Sequence, residues 1–228
     1  MKNYLRSRTK KLTTLAMLIA LAFLVGATFR IRGVFSVAPF LTYDPKDVVI
    51  LMGGFLFGPL SALAMSIILA LLEMVTTSVS GPYGALMNAI ASASFTCTAA
   101  YVYSKIRNIN GAIIGLALGC IVGTCVMVWW NFAIIPLYVP HATRESAQAI
   151  MLPAIIPFNL IKYSLNSVMA ILVYKKVSAA LKAAGLYKEA LSQNQETSSR
   201  SKHLAVMITS IVIAVALIVL LFLIRGMG

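Results

Sequence analysis

Within the apolar run from Met151 to Tyr174, the stretch PFNLIKYSLNSV carries Asn159, Lys162 and Asn166 at i, i+3 and i+7. That spacing puts all three on one helix face. Two amides and one ammonium offer donors, acceptors and a positive charge, which suits holding a polar ligand. A lysine at the centre of a membrane helix costs about 2.5–3.5 kcal/mol. Lys162 stands roughly 11 residues into its run, about 16 Å at the helical rise, a long reach for snorkelling to headgroups. The expectation is an inward-facing, functional lysine; snorkelling is the alternative.

Other polar groups extend the pattern. Glu73 lies in LALLEMVTTS, Asn88 in GALMNAIAS and Asn131 in VMVWWNFAIIPLY. These positions are late in the third and fifth apolar segments and early in the fourth, as the helix-6 trio is early in the sixth. With alternating directions, all four fall in the outer half of the membrane. An outward-opening chamber explains the alignment. A structural polar cluster is the alternative, although interhelical hydrogen bonds in membranes average only about 0.6 kcal/mol. Glu73 pairing with Lys162, with or without a ligand, is also open. Ahead of the second segment, VFSVAPFLTYDPKD is too polar to span and too apolar for a solvated linker. Phe40, Leu41 and Tyr43 could cover a flat hydrophobic ligand, as could Trp129 and Trp130 if they face inward. Asp44 and Asp47 are ligand contacts or caps, since Asp44 precedes Pro45, a residue suited to a first helical position.

These residues need helices to position them, and the composition supplies membrane helices. The 228 residues are 60% hydrophobic and 11% charged, with a mean hydropathy of +0.91. Soluble domains carry about 25% charged residues. Spans are expected at 12–29, 46–57 (short), 60–78, 83–104, 111–135 and 151–174. A polar linker, 181–203, leads to a further apolar helix in 204–228, with 1–180 forming the main membrane domain. Gly58 and Pro59 break the chain between the second and third spans. The first run resembles a signal peptide in its basic flank, but lacks a clear small-residue cleavage site and is read as retained.

The net charge of +13 would suggest nucleic acid in a soluble protein. Here lysine and arginine gather at segment ends, where they orient a membrane protein. Their distribution predicts a cytoplasmic N-terminus, with Arg30, Arg32 and Lys46 in the first outer loop as the exception and hence a functional candidate. Cys97, Cys120 and Cys125 lie in apolar runs, with spacing for neither disulfides nor zinc. His141 and His203 are isolated. No G-x-x-x-x-G-K-[ST] loop, no H-E-x-x-H helix and no nucleophile–base pairing occurs. Neither a metal, a cofactor nor an enzymatic role is expected.

LTYDPKDVVILMGGFLFGPLSAL, LLEMVTTSVSGPYGALMNAIAS, WWNFAIIPLY and PFNLIKYSLNS together resemble the substrate-binding (S) component of energy-coupling factor (ECF) transporters, most closely the riboflavin-specific type. The resemblance covers about residues 10–180. It implies an all-α bundle of six membrane helices in a bacterial cell membrane, to which the seventh apolar run is an addition. It implies high-affinity riboflavin binding near the outer face, with riboflavin as transported ligand. It also implies docking to a membrane coupling protein and two cytoplasmic ATPases. Asn159, Lys162 and Asn131 match the family's polar ligand contacts; Tyr43, Asp44, Asp47 and Glu73 lie in matching segments. Ala16 and Ala20 match its small-residue docking motif, although spacing alone fits ordinary packing equally. The alternatives are an S component for another vitamin or metabolite, an autonomous secondary transporter, and an intramembrane enzyme. The second alternative is disfavoured by the lack of an internal repeat.

Overall fold

The computed structural model describes residues 2–32, 41–76, 81–138 and 143–183. The expected linker beyond residue 183, the expected helix at 204–228 and Phe40 lie outside them. In chain order, α1 (Lys2–Thr28) is followed by a hairpin, β1 (Ile31–Arg32) and β2 (Thr42–Tyr43). Then come α2 (Lys46–Phe57), α3 (Pro59–Thr76), α4 (Gly81–Lys105), α5 (Ile109–Tyr138), α6 (Arg144–Ile150), a π-helical segment (Met151–Ile155) and α7 (Ile156–Ala183). The strands pair antiparallel, Ile31 with Tyr43 and Arg32 with Thr42.

Among the described residues, five helices are long and apolar enough to cross a membrane, at Thr9–Thr28, Pro59–Thr76, Gly81–Lys105, Ile109–Ile135 and Gln148–Tyr174. Their outer faces carry exposed aliphatic side chains such as Leu71, Val75, Ile121 and Leu172, as lipid contact requires. The expected span at 46–57 is α2, whose 12 residues reach about 18 Å, short of the roughly 30 Å of hydrocarbon. Ten of those residues are buried, so α2 is enclosed by its neighbours and touches little lipid.

Local chemistry sets the boundaries. Gly58 adopts φ 89° after α2, and its N–H closes on Gly54 O at 2.8 Å; Pro59 then opens α3 with its pre-set φ. Asn108 caps α5 by accepting from the Gly111 N–H at 2.8 Å. Helices α4 and α5 meet almost backbone to backbone. A Cβ on Gly115 would lie 2.7 Å from the Ala99 carbonyl oxygen, and one on Gly119 the same distance from that of Phe95. Small residues four apart permit this approach, and dispersion over the seam stabilises it.

Three apolar clusters fill the bundle. The largest joins α2, α4, α5 and α7 around Phe55, Phe95 and Tyr163. A second joins α1, α2 and α3 around Ala22, Ile50 and Leu69. The third sets Leu41, just before β2, against Ile135, Ile155 and Phe158.

Candidate functional site

The polar residues gather where α2 begins. Pro45 stands at the cap position of α2, and no side chain caps its first turn. Asp44 therefore does not serve as a cap, because its carboxylate turns toward the bundle. Its Oδ2 lies 3.7 Å from Lys46 Nζ, and its Oδ1 has no hydrogen-bond partner.

Glu73 of α3 is the acceptor at the centre of one cluster. Its Oε1 accepts from Arg30 Nη2 at 2.9 Å; its Oε2 accepts from Lys46 Nζ and from Asn88 Nδ2, the latter at 3.2 Å. Glu73 and Lys46 are each only 2% exposed, so mutual neutralisation is what keeps both charges inside. The Glu73–Lys162 pairing left open by the sequence is not formed: the residues after α1 and at the start of α2 bring two other cations onto that carboxylate. The unusual basic residues of the first loop find their explanation here, in Arg30 and Lys46.

A second chain of bonds crosses from the hairpin to α7. Tyr43 donates its phenol to Asn166 Oδ1 at 3.0 Å and lies 3.6 Å from Met169 Sδ. Asn166 Nδ2 donates to Asp47 Oδ2 at 3.4 Å, and Ser92 donates to Asp47 Oδ1 at 2.6 Å. Burial, then Asp44 and Asp47, push the Tyr43 phenol up to about 12, so it is a neutral donor at any physiological pH.

Lys162 is 5% exposed, with no hydrogen bond or ion pair to a described residue. It is the foremost cation acting on Asp44 and on Asp47. Burial pushes the Asp44 carboxyl up, but Lys162, Lys46 and Arg30 outweigh it and hold that carboxyl below the usual carboxylate range. Three acidic side chains (Asp44, Asp47, Glu73) and three basic ones (Arg30, Lys46, Lys162) thus gather in one cluster.

Beside this cluster lies apolar surface. Leu41 packs with Ile135, Ile155 and Phe158, and Tyr43 rests against them. Asn131 sits one turn before Ile135 and Asn159 one turn after Ile155, so both amides border that surface. Asn131 donates to Met127 O at 2.7 Å, but its Oδ1 has no partner, and Asn159 donates to Ile155 O at 2.8 Å. Ile155 ends the π-helical segment, in which the Ile156 N–H reaches back to Met151 O. Such wide turns are frequent at functional sites, and this one sets the rotation at which α7 presents Asn159, Lys162 and Asn166.

The structure therefore links Tyr43, Asp47 and Asn166 by hydrogen bonds, joins Glu73 to Asn88, and sets Lys162 against Asp44 and Asp47. Trp130 is buried and Trp129 half-buried. Ala16 and Ala20 lie elsewhere, exposed on α1. The reading of the chain did not find Ser92 as a site residue, and it marked Lys46 only as one of the basic residues of the first loop. The signals were present: Lys46 stands between two aspartates in DPKD, and Ser92 lies four residues after Asn88 on the same helix face.

A family profile described as ECF transporter, substrate-specific component, matches residues 10–174. The riboflavin transporter RibU of Staphylococcus aureus (strain TCH60) is 34% identical over 180 residues, covering 77% of this chain and 94% of its own. The riboflavin transporter FmnP of Bacillus subtilis (strain 168) is 28% identical over 179 residues, covering 75% and 93%. A solved structure described as "Structure and mechanism of the S component of a bacterial ECF transporter" aligns with a TM-score of 0.66 at 32% identity, covering 77% of this chain and 99% of that one.

Proposed function

Because the chain belongs to the family of substrate-specific components of ECF transporters, we propose that it binds riboflavin beneath β2 and delivers it inward as part of an ECF-type uptake system. One observation carries the site: unpartnered buried polar groups stand beside an apolar surface. The Lys162 ammonium, Asn131 Oδ1 and Asp44 Oδ1 border the surface formed by Leu41, Ile135, Ile155 and Phe158. An apolar wall with a few convergent polar groups is the usual form of a small-molecule site. Riboflavin matches both parts, with a flat tricyclic ring, an imide edge and a polyhydroxyl chain.

In this reading Lys162 donates to a ligand oxygen, Asn131 and Asn159 bond the polar edges of the ring, and Leu41, Tyr43 and Phe40 lie over its face. Asp44, Asp47, Glu73, Asn88 and Asn166 hold the site's charges and amides in place. The chain carries no phosphate-binding loop, so energy for inward release comes from partners: a membrane coupling protein and two cytoplasmic ATPases. Ala16 and Ala20, exposed on α1, offer a shallow surface for close helix approach by that coupling protein. The reaction is binding and delivery, not chemical turnover, in a bacterial plasma membrane with the N-terminus cytoplasmic. Titrating the purified protein into riboflavin tests the reading. Quenching of flavin fluorescence that saturates at one ligand per chain is expected; no quenching at micromolar protein overturns it.

A further inference from the structure

Most hydroxyls in these helices bond a carbonyl three or four residues back in their own helix. Ser61, Ser66, Thr96, Thr98 and Ser167 each donate to the carbonyl four residues back. That local bond is the ordinary way to satisfy a hydroxyl away from water. Ser92 departs from the habit, and its hydroxyl serves Asp47 instead. Thr124 departs as well. It is 7% exposed, and its Oγ1 has no partner at all. Its hydroxyl does not bond the carbonyl of its own helix and is buried within the bundle.

Its position is informative. Cys120, one turn earlier, meets Ser164 of α7, Sγ to Oγ, at 3.8 Å, so this face of α5 fronts α7. Further along, Ile135 packs with Ile155. The two helices therefore run antiparallel, and Thr124 falls level with Asn159 and Lys162. Thr124 and Asn131 are seven residues apart and share a face. Two more buried polar atoms on this stretch lack partners, Trp130 Nε1 and Asn131 Oδ1. A buried hydroxyl without a partner is costly to keep, and three such atoms within two turns are not ordinary packing.

We infer that the Thr124 hydroxyl is a further ligand contact, bonding a hydroxyl or carbonyl of the bound molecule about 10 Å along α5 from Asn131. The inference rests on the riboflavin-binding reading above and extends it to one residue. Thr124→Val keeps the shape and removes the hydroxyl. In the purified full chain, T124V is expected to weaken riboflavin binding about tenfold by fluorescence quenching. The ligand-free melting temperature should stay the same or rise, because an unsatisfied group has gone. Thr124→Ser should restore affinity. Unchanged affinity in T124V overturns the assignment, as does a loss of affinity matched by a fall in ligand-free stability. If T124V cannot be recovered folded, Thr124→Ser against Thr124→Ala makes the same comparison. Wild-type protein that fails to quench flavin overturns the functional reading itself, a result distinct from equal quenching by wild type and variant.

Discussion

At the scale of single residues, the face bearing Asn159, Lys162 and Asn166 was legible because helical period alone defines it. Their partners were not. Which carboxylate meets which cation depends on helix rotation and on where the first loop folds back, and neither leaves a mark in local spacing. Hence Glu73 is held by Arg30 and Lys46, and Lys162 acts on Asp44 and Asp47 instead. Removing one member of a buried ionic cluster leaves a charge uncompensated, at a cost of about 3–5 kcal/mol. Glu73→Gln is therefore expected to lower the melting temperature of the ligand-free protein sharply, and adding Lys46→Met should recover part of the loss. Strictly additive effects in that pair would contradict the contact. Lys162→Ala should weaken riboflavin binding more than tenfold; unchanged affinity would take Lys162 out of the site. Asp44 sets an acid limit. Its folded carboxyl lies below its unfolded value of about 3.9, so its stabilisation is fully present above that pH and is lost as pH falls through the folded value. Melting curves from pH 7 to pH 3 should fall less steeply for Asp44→Asn than for wild type.

At the scale of elements, the long helices were legible from their apolar length, and their membrane-crossing stretches fall within a few residues of expectation, although α1 begins and α7 ends well outside them. The hairpin was not, since strands of two residues are too short to show alternation. The π-helical segment gave no signal beyond Pro153, whose missing N–H removes a ladder donor. The α4–α5 seam did have a signature, in Gly115 and Gly119, part of a run of glycines at every fourth position from Gly111 to Gly123. The motif marks close approach, but not which neighbour will fill the groove. Gly119→Val would press a side chain onto the Phe95 carbonyl. Overpacking of this kind costs about 1–3 kcal/mol, so thermal unfolding should come several degrees earlier. Leu118→Ala, on the exposed face beside it, should scarcely shift the transition. Equal effects from the two substitutions would place the seam elsewhere.

At the scale of the whole molecule, the proposed reading assigns ligand capture and delivery to different surfaces, so the two should be separable. The polar cluster lies inside the bundle, whereas Ala16 and Ala20 are exposed on α1. Ala16→Trp with Ala20→Trp should leave fluorescence quenching by the purified chain intact and abolish riboflavin uptake by cells. Loss of quenching would show that α1 supports the pocket instead. The enclosure of α2 has a consequence of another kind. Changes in bilayer thickness act on helices that touch lipid, through tilt and mismatch. With ten of its 12 residues shielded by protein, α2 is a post standing within a ring. When the membrane thins or thickens, the ring adjusts while the post keeps its footing, so Asp44 and Asp47 stay in register with each other from one lipid composition to the next.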